Sequence, residues 1–84
     1  MINLDEVVKK TEKSLTDQGM EVSHTFVMGD VEDSKYSLRF QVLHKGFPME
    51  VLLEGSIEDS IWDMYIVPDG SLKHTFISKM NVLD

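Results

Sequence analysis

Tyr36-Ser37-Leu38-Arg39-Phe40-Gln41-Val42-Leu43-His44-Lys45-Gly46-Phe47-Pro48-Met49-Glu50-Val51-Leu52-Leu53-Glu54 reads as two strands joined by a tight turn. Tyr36, Leu38, Phe40, Val42 and His44 alternate with Ser37, Arg39, Gln41 and Leu43. Phe47, Met49, Val51 and Leu53 alternate with Pro48, Glu50, Leu52 and Glu54. Period-two alternation marks a strand with one buried face. With Lys45-Gly46 as the turn, His44 faces Phe47, Val42 faces Met49, Phe40 faces Val51 and Leu38 faces Leu53. This register joins both apolar sets on one face, and a slip of one residue would turn them to solvent.

Upstream, Asn3-Leu4-Asp5-Glu6 opens a helix, with Asn3 as N-cap and Glu6 completing a capping box. Leu4, Val7, Val8, Thr11 and Leu15 recur at helical spacing, and Glu6 and Lys10 form an i,i+4 pair. Gly19 suits the left-handed position after the last turn, so the helix is expected over about residues 4–18. Met20, Val22, His24, Phe26 and Met28 then alternate and are read as one inward face of a strand. Gly29 to Ser34 is an acidic loop.

Downstream, Gly55 to Ser60 is a loop or one helical turn, with Ser56 as its cap. Residues 61–67 form a fourth strand, with Trp62, Met64 and Ile66 on one face and Ile61, Asp63, Tyr65 and Val67 on the other. Pro68-Asp69-Gly70 is turn chemistry. Residues 71–79 form a fifth strand, with Leu72, His74 and Phe76 facing in and Lys73, Thr75, Ile77 and Lys79 out. Met80, Val82 and Leu83 in the tail suggest docking or pairing with a second copy. The expected fold is α+β, a single small domain over 1–84. Its N-terminal helix packs on one face of a mostly antiparallel five-stranded sheet, in two layers. One helix leaves apolar residues such as Leu43, Leu52, Tyr65 and Ile77 uncovered on the other face, which suggests a homodimer.

The chain has 84 residues, a formal net charge of −7 and no cysteine. Disulfides and thiolate metal sites are excluded. An acidic balance argues against direct binding of nucleic acid or an anionic membrane. No apolar run approaches the roughly 20 residues that cross a bilayer. Charges at Asp5, Glu6, Lys9 and Lys10 argue against a signal peptide. A cytoplasmic protein is expected.

His24, His44 and His74 are the only imidazoles. They would serve a zinc site in a small metal-dependent enzyme, but no ligand-spacing motif supports one. Asp30, Glu32 and Asp33 lack the spacing of a calcium loop. No nucleophile elbow, phosphate loop or dinucleotide fingerprint is present. A non-enzymatic protein without cofactor or metal is expected.

Charge is distributed unevenly. Between Gly46 and Leu72 there is no Lys or Arg, while Glu50, Glu54, Glu58, Asp59, Asp63 and Asp69 fall there. Residues i and i+2 of a strand are about 6.6–6.8 Å apart, on the scale of successive phosphates of one nucleic-acid strand. Leu52, Ile61 and Tyr65 sit among these acids. Glu50, Leu52, Glu54, Glu58, Asp59, Asp63 and Tyr65 are therefore the candidate partner-binding residues. They form an acidic face for a basic protein, extending to a nucleic-acid-binding one. The alternative is a chaperone-like or adaptor module that binds peptide on the open sheet face or at a strand edge.

At the level of class, the acidic stretch Glu50–Asp69 on a small α+β domain resembles the DNA-imitating inhibitors of bacterial viruses. The uracil-DNA glycosylase inhibitors are the nearest image. Their Glu-Ser-Ile element is interrupted here, as Glu54-Gly55-Ser56-Ile57. The resemblance implies an inhibitor acting through its acids, and no residue role carries over.

Overall fold

The computed structural model describes residues 2–30, 32–68 and 73–83. One helix, α1 (Leu4–Asp17), precedes five strands: β1 (Met20–Asp30), β2 (Lys35–His44), β3 (Phe47–Ser56), β4 (Ile61–Pro68) and β5 (Thr75–Asn81). The strands form one antiparallel meander in the order β1-β2-β3-β4-β5. The α+β expectation therefore holds, and no described helix is long and apolar enough to cross a membrane.

The central hairpin has the register that its alternation dictates, from His44↔Phe47 to Leu38↔Leu53. Lys45 and Gly46 both have positive φ, 54° and 83°. That is the type I′ geometry whose twist matches the flanking strands. Leu38, Phe40, Val42, Val51 and Leu53 are buried, together with Trp62 and Met64 of β4. Val7, Thr11 and Leu15 of α1 close this core from above.

Local chemistry sets the helix ends. Asn3 Oδ1 accepts from the backbone N–H of Asp5 at 2.9 Å and of Glu6 at 3.4 Å. Gly19 has a φ of 88°, the left-handed conformation that ends the helix. The Glu6–Lys10 pair does not form. Lys10 Nζ instead donates to the Asn81 carbonyl at 2.7 Å. Thr11 Oγ1 lies 3.6 Å from Met80 Sδ, and Thr25 Oγ1 donates to Glu12 at 2.6 Å. One helix thus touches residues of both edge strands. The sheet must curl around α1 for this to occur, so the helix covers more of one face than a flat sheet would allow.

Four expectations change. In β1, Val22 pairs with Val42 but His24 pairs with Gln41, which makes Ser23 a bulge. Ser23 Oγ donates to the Gln41 carbonyl at 3.1 Å. A bulge adds one residue and reverses the facing of all that follow. Met20 and Val22 therefore face the helix, whereas His24, Phe26 and Met28 face away from it.

A second register shift lies between Met64↔Ser78 and Tyr65↔Phe76, with Ile77 as the extra residue. Phe76 and His74 consequently lie against Tyr65 on the helix-free face, with ring centroids 5.8 and 6.2 Å away. Thr75 opposes Ile66 on the inner face. The expected turn residues Asp69 and Gly70 and the expected inward Leu72 lie outside the described residues.

The tail is the third change. Met80 and Asn81 complete β5, Val82 is buried in the core, and its N–H donates to the Ser60 carbonyl at 2.8 Å. Docking on its own domain is thus the outcome, and Met80 is not free for a partner. Fourth, Leu52 is not an uncovered apolar residue. It points away from the helix yet is only 2% exposed, flanked in register by Arg39 and Tyr65.

Glycines admit two aromatic rings. A Cβ at Gly55 would collide with the Trp62 indole, and one at Gly29 with the Tyr36 ring. Trp62 is fully buried, and its Nε1–H donates to the carbonyls of Ser56 and Asp59, both at 2.9 Å. The indole thereby pins the β3–β4 connection.

Candidate binding face

The helix-free face can be read as rows of side chains running across the strands. One row is Phe26, Arg39, Leu52, Tyr65 and Phe76, each paired with the next. Below it run Met28, Ser37, Glu54, Asp63 and Lys79. Above it run His24, Gln41, Glu50 and Val67. The hairpin register sets the middle of each row, and the two bulges deliver Phe26 and Phe76 to its ends.

β3 and β4 pair directly, so the candidate acids do share a face. Glu54 lies opposite Asp63. Like charges at that position repel, and the neighbouring strand supplies the counter-ion: Lys79 Nζ reaches Asp63 at 3.2 Å. Arg39 Nη1 reaches Glu50 at 3.4 Å. Arg39 Nε is buried and makes no hydrogen bond. The stretch without bases is therefore partly neutralised by β2 and β5, which flank it in space. Lys79–Asp63 is open to solvent and Arg39–Glu50 is half-buried; an exposed pair contributes about 0–1 kcal/mol to stability.

The remaining acids gather at one end. A cleft of about 620 Å³ at the lower edge is lined by Asp30, Glu54, Asp59 and Asp63, with Lys35 and Ile61 among its walls. Ser56 Oγ accepts from the Glu58 N–H at 3.1 Å, as expected of a cap, and holds the turn that carries Glu58 and Asp59. Glu58 is exposed on that turn. Of the seven sequence candidates, Glu54, Asp59 and Asp63 converge on the cleft. Leu52 and Tyr65 occupy the row above, and Glu50 lies beyond it. Leu52 is too buried to act as an exposed anchor.

Sequence reading missed Phe26, Met28 and Phe76. All three are about half exposed here, at 47%, 54% and 50%. Asp30, weighed in the sequence only as a calcium-loop residue, joins the acids of the cleft. Its Oδ1 accepts from the N–H groups of Glu32 and Asp33 at 3.1 and 3.4 Å, which turns the chain from β1 towards β2.

His24 and His74 lie near opposite edges of the face. Among the described residues, no three His, Asp or Glu side chains converge on a point that could hold a metal ion. What the face offers is an aromatic row with ion pairs beside it and carboxylates at one end. Comparison of the chain with protein-family models, with curated proteins and with solved structures finds no match.

Proposed function

We propose that this is a non-enzymatic interaction protein of the cytoplasm, and that the helix-free sheet face is its binding surface. The partner is a protein that offers apolar side chains to the row Phe26–Phe76 and basic side chains to the acid cleft. The carrying observation is the half exposure of Phe26 and Phe76 around a buried Leu52, beside carboxylates that line a cleft. Aromatic side chains supply large contact area at low conformational cost, and they dominate the energetics of interfaces.

The charge has a narrower part in this reading. Glu50 and Asp63 already have counter-ions in Arg39 and Lys79. Glu54 and Asp59, with Asp30 nearby, remain to steer a basic partner, because charge at a rim acts on the association rate more than on final affinity. A nucleic-acid-binding protein is one partner class that this chemistry fits, as inhibitors that imitate DNA would require.

The test is affinity capture from native lysate, with the parent chain and a Tyr65→Ala/Phe76→Ala double variant as baits. A specific partner that is retained by the parent and lost by the variant is the expected result. Equal retention by both baits would refute the assignment of this face.

A further inference from the structure

The two edges of the sheet differ. β5 is short, bulged at Ile77 and carries Lys79, the usual protections of an exposed edge. β1 is the longest of the described strands, and beyond its bulge its pairing with β2 is unbroken over His24-Thr25-Phe26-Val27-Met28-Gly29-Asp30. That segment contains no Lys, Arg or Pro.

Three consecutive residues in it, Phe26, Val27 and Met28, are 47%, 50% and 54% exposed. Phe26 and Met28 lie on the helix-free face. Val27 pairs with Leu38 and so lies on the helix face, yet half of its surface remains open. One flank of β1 is paired with β2, and among the described residues no strand lies beside its other flank. An unguarded edge with apolar side chains on both faces is a template for another strand.

We propose that this edge pairs with the same edge of a second copy, antiparallel, about a two-fold axis at Val27. The register follows from the segment's limits. The bulge at Ser23 ends it on one side and the turn after Asp30 on the other. Val27 is its midpoint, and only an axis there uses its whole length. Val27 then opposes its own equivalent, Phe26 opposes Met28, Thr25 opposes Gly29 and His24 opposes Asp30. Apolar residues meet apolar ones on both faces, and the imidazole meets a carboxylate. An isologous two-fold contact requires this self-complementarity.

The edge shares Phe26 and Met28 with the proposed binding face, whereas Val27 belongs to the edge alone. Because each copy carries a net charge of −7, the copies repel at long range. Added salt screens that repulsion and should tighten the dimer.

The test is sedimentation velocity of the full chain over a wide concentration range, at low and high salt. The expected result is a concentration-dependent rise from the 9.6 kDa monomer mass towards twice that value, shifted to lower concentration by salt. Val27→Lys sets two like charges face to face on the axis and should raise the dissociation constant by about tenfold or more. Its thermal unfolding as a monomer should stay close to the parent's, because half of the Val27 surface is already in water.

The chain has no cysteine of its own, so a single Val27→Cys gives an independent readout. Directly opposed side chains lie about 4.5–5.5 Å apart at Cβ, near disulfide range. Mild oxidation should link the Val27→Cys copies. A Phe47→Cys control at the hairpin tip, 73% exposed, should not link under the same conditions. Monomer mass at every concentration and both salts would overturn the proposal. So would a dimer indifferent to Val27→Lys, or equal cross-linking of the two cysteine variants.

Discussion

On the helix side of the sheet the row Thr25, Phe40, Val51, Ile66 and Thr75 crosses the five strands. One residue along, on the other side, runs Phe26, Arg39, Leu52, Tyr65 and Phe76. Both rows have apolar centres: Phe40 and Val51 are fully buried, and Leu52 is 2% exposed. They differ at their ends. The inner row ends in threonines, one of them bonded to Glu12 of the helix. The outer row ends in half-exposed phenylalanines, and no described helix or strand lies above them. Apolar content alone thus does not separate a covered core from an open face. The presence of a cover does, together with polar partners that fix its edges.

If that contrast is right, substitutions should rank by cover and not by residue size. Phe40→Ala should cost about 3–5 kcal/mol, the largest effect, read by urea denaturation. A loss below about 1 kcal/mol would mean that the helix does not seal the inner row. Leu52→Ala should cost about 2–3 kcal/mol, towards the low end for a buried leucine, because flanking side chains cover it and no helix does. A cost equal to that of Phe40→Ala would erase the difference between the faces.

Gly55→Ala drives a methyl into the Trp62 indole and should cost about 1–3 kcal/mol by overpacking. Near-ultraviolet circular dichroism should report the displaced indole. An unchanged tryptophan signal with unchanged stability would refute this contact. Phe76→Ala, on the open face, should cost under about 1 kcal/mol in the same denaturation experiment, because half of its surface is already in water. A cost near 3 kcal/mol would make Phe76 a core residue.

Lys79→Met should change stability by no more than about 0.5 kcal/mol. Its effect belongs to partner association, which should become more sensitive to salt once Asp63 loses its counter-ion. A salt dependence equal to the parent's would mean that Asp63 does not take part.

The hairpin was fully legible in the sequence, because its alternation and the Lys45-Gly46 turn agree on one register. The helix was legible for a similar reason: Asn3 and Gly19 mark its ends and Val7, Thr11 and Leu15 its face. The bulge at Ser23 was not. Met20, Val22, His24, Phe26 and Met28 alternate without interruption, so the residue pattern carries no mark of the extra residue. The reversal reflects pairing with β2 and the Ser23–Gln41 hydrogen bond, both long-range.

The same holds at Ile77, where β5 offers apolar or hydroxyl residues to either face. The acids of the candidate site were visible as a run without bases. Their counter-ions were not, because Arg39 and Lys79 approach across strands from outside the run. The depth of Leu52 likewise depends on neighbours in β2 and β4.

The most direct measurement is backbone and aromatic chemical-shift mapping of the isotope-labelled chain as the captured partner is added. Shifts should concentrate at Arg39, Leu52, Glu54, Tyr65 and Phe76, and Val7, Thr11 and Leu15 on the covered side should stay in place. Shifts confined to the helix, or to the outer edge of β1, would contradict the assignment of the helix-free face as the binding surface.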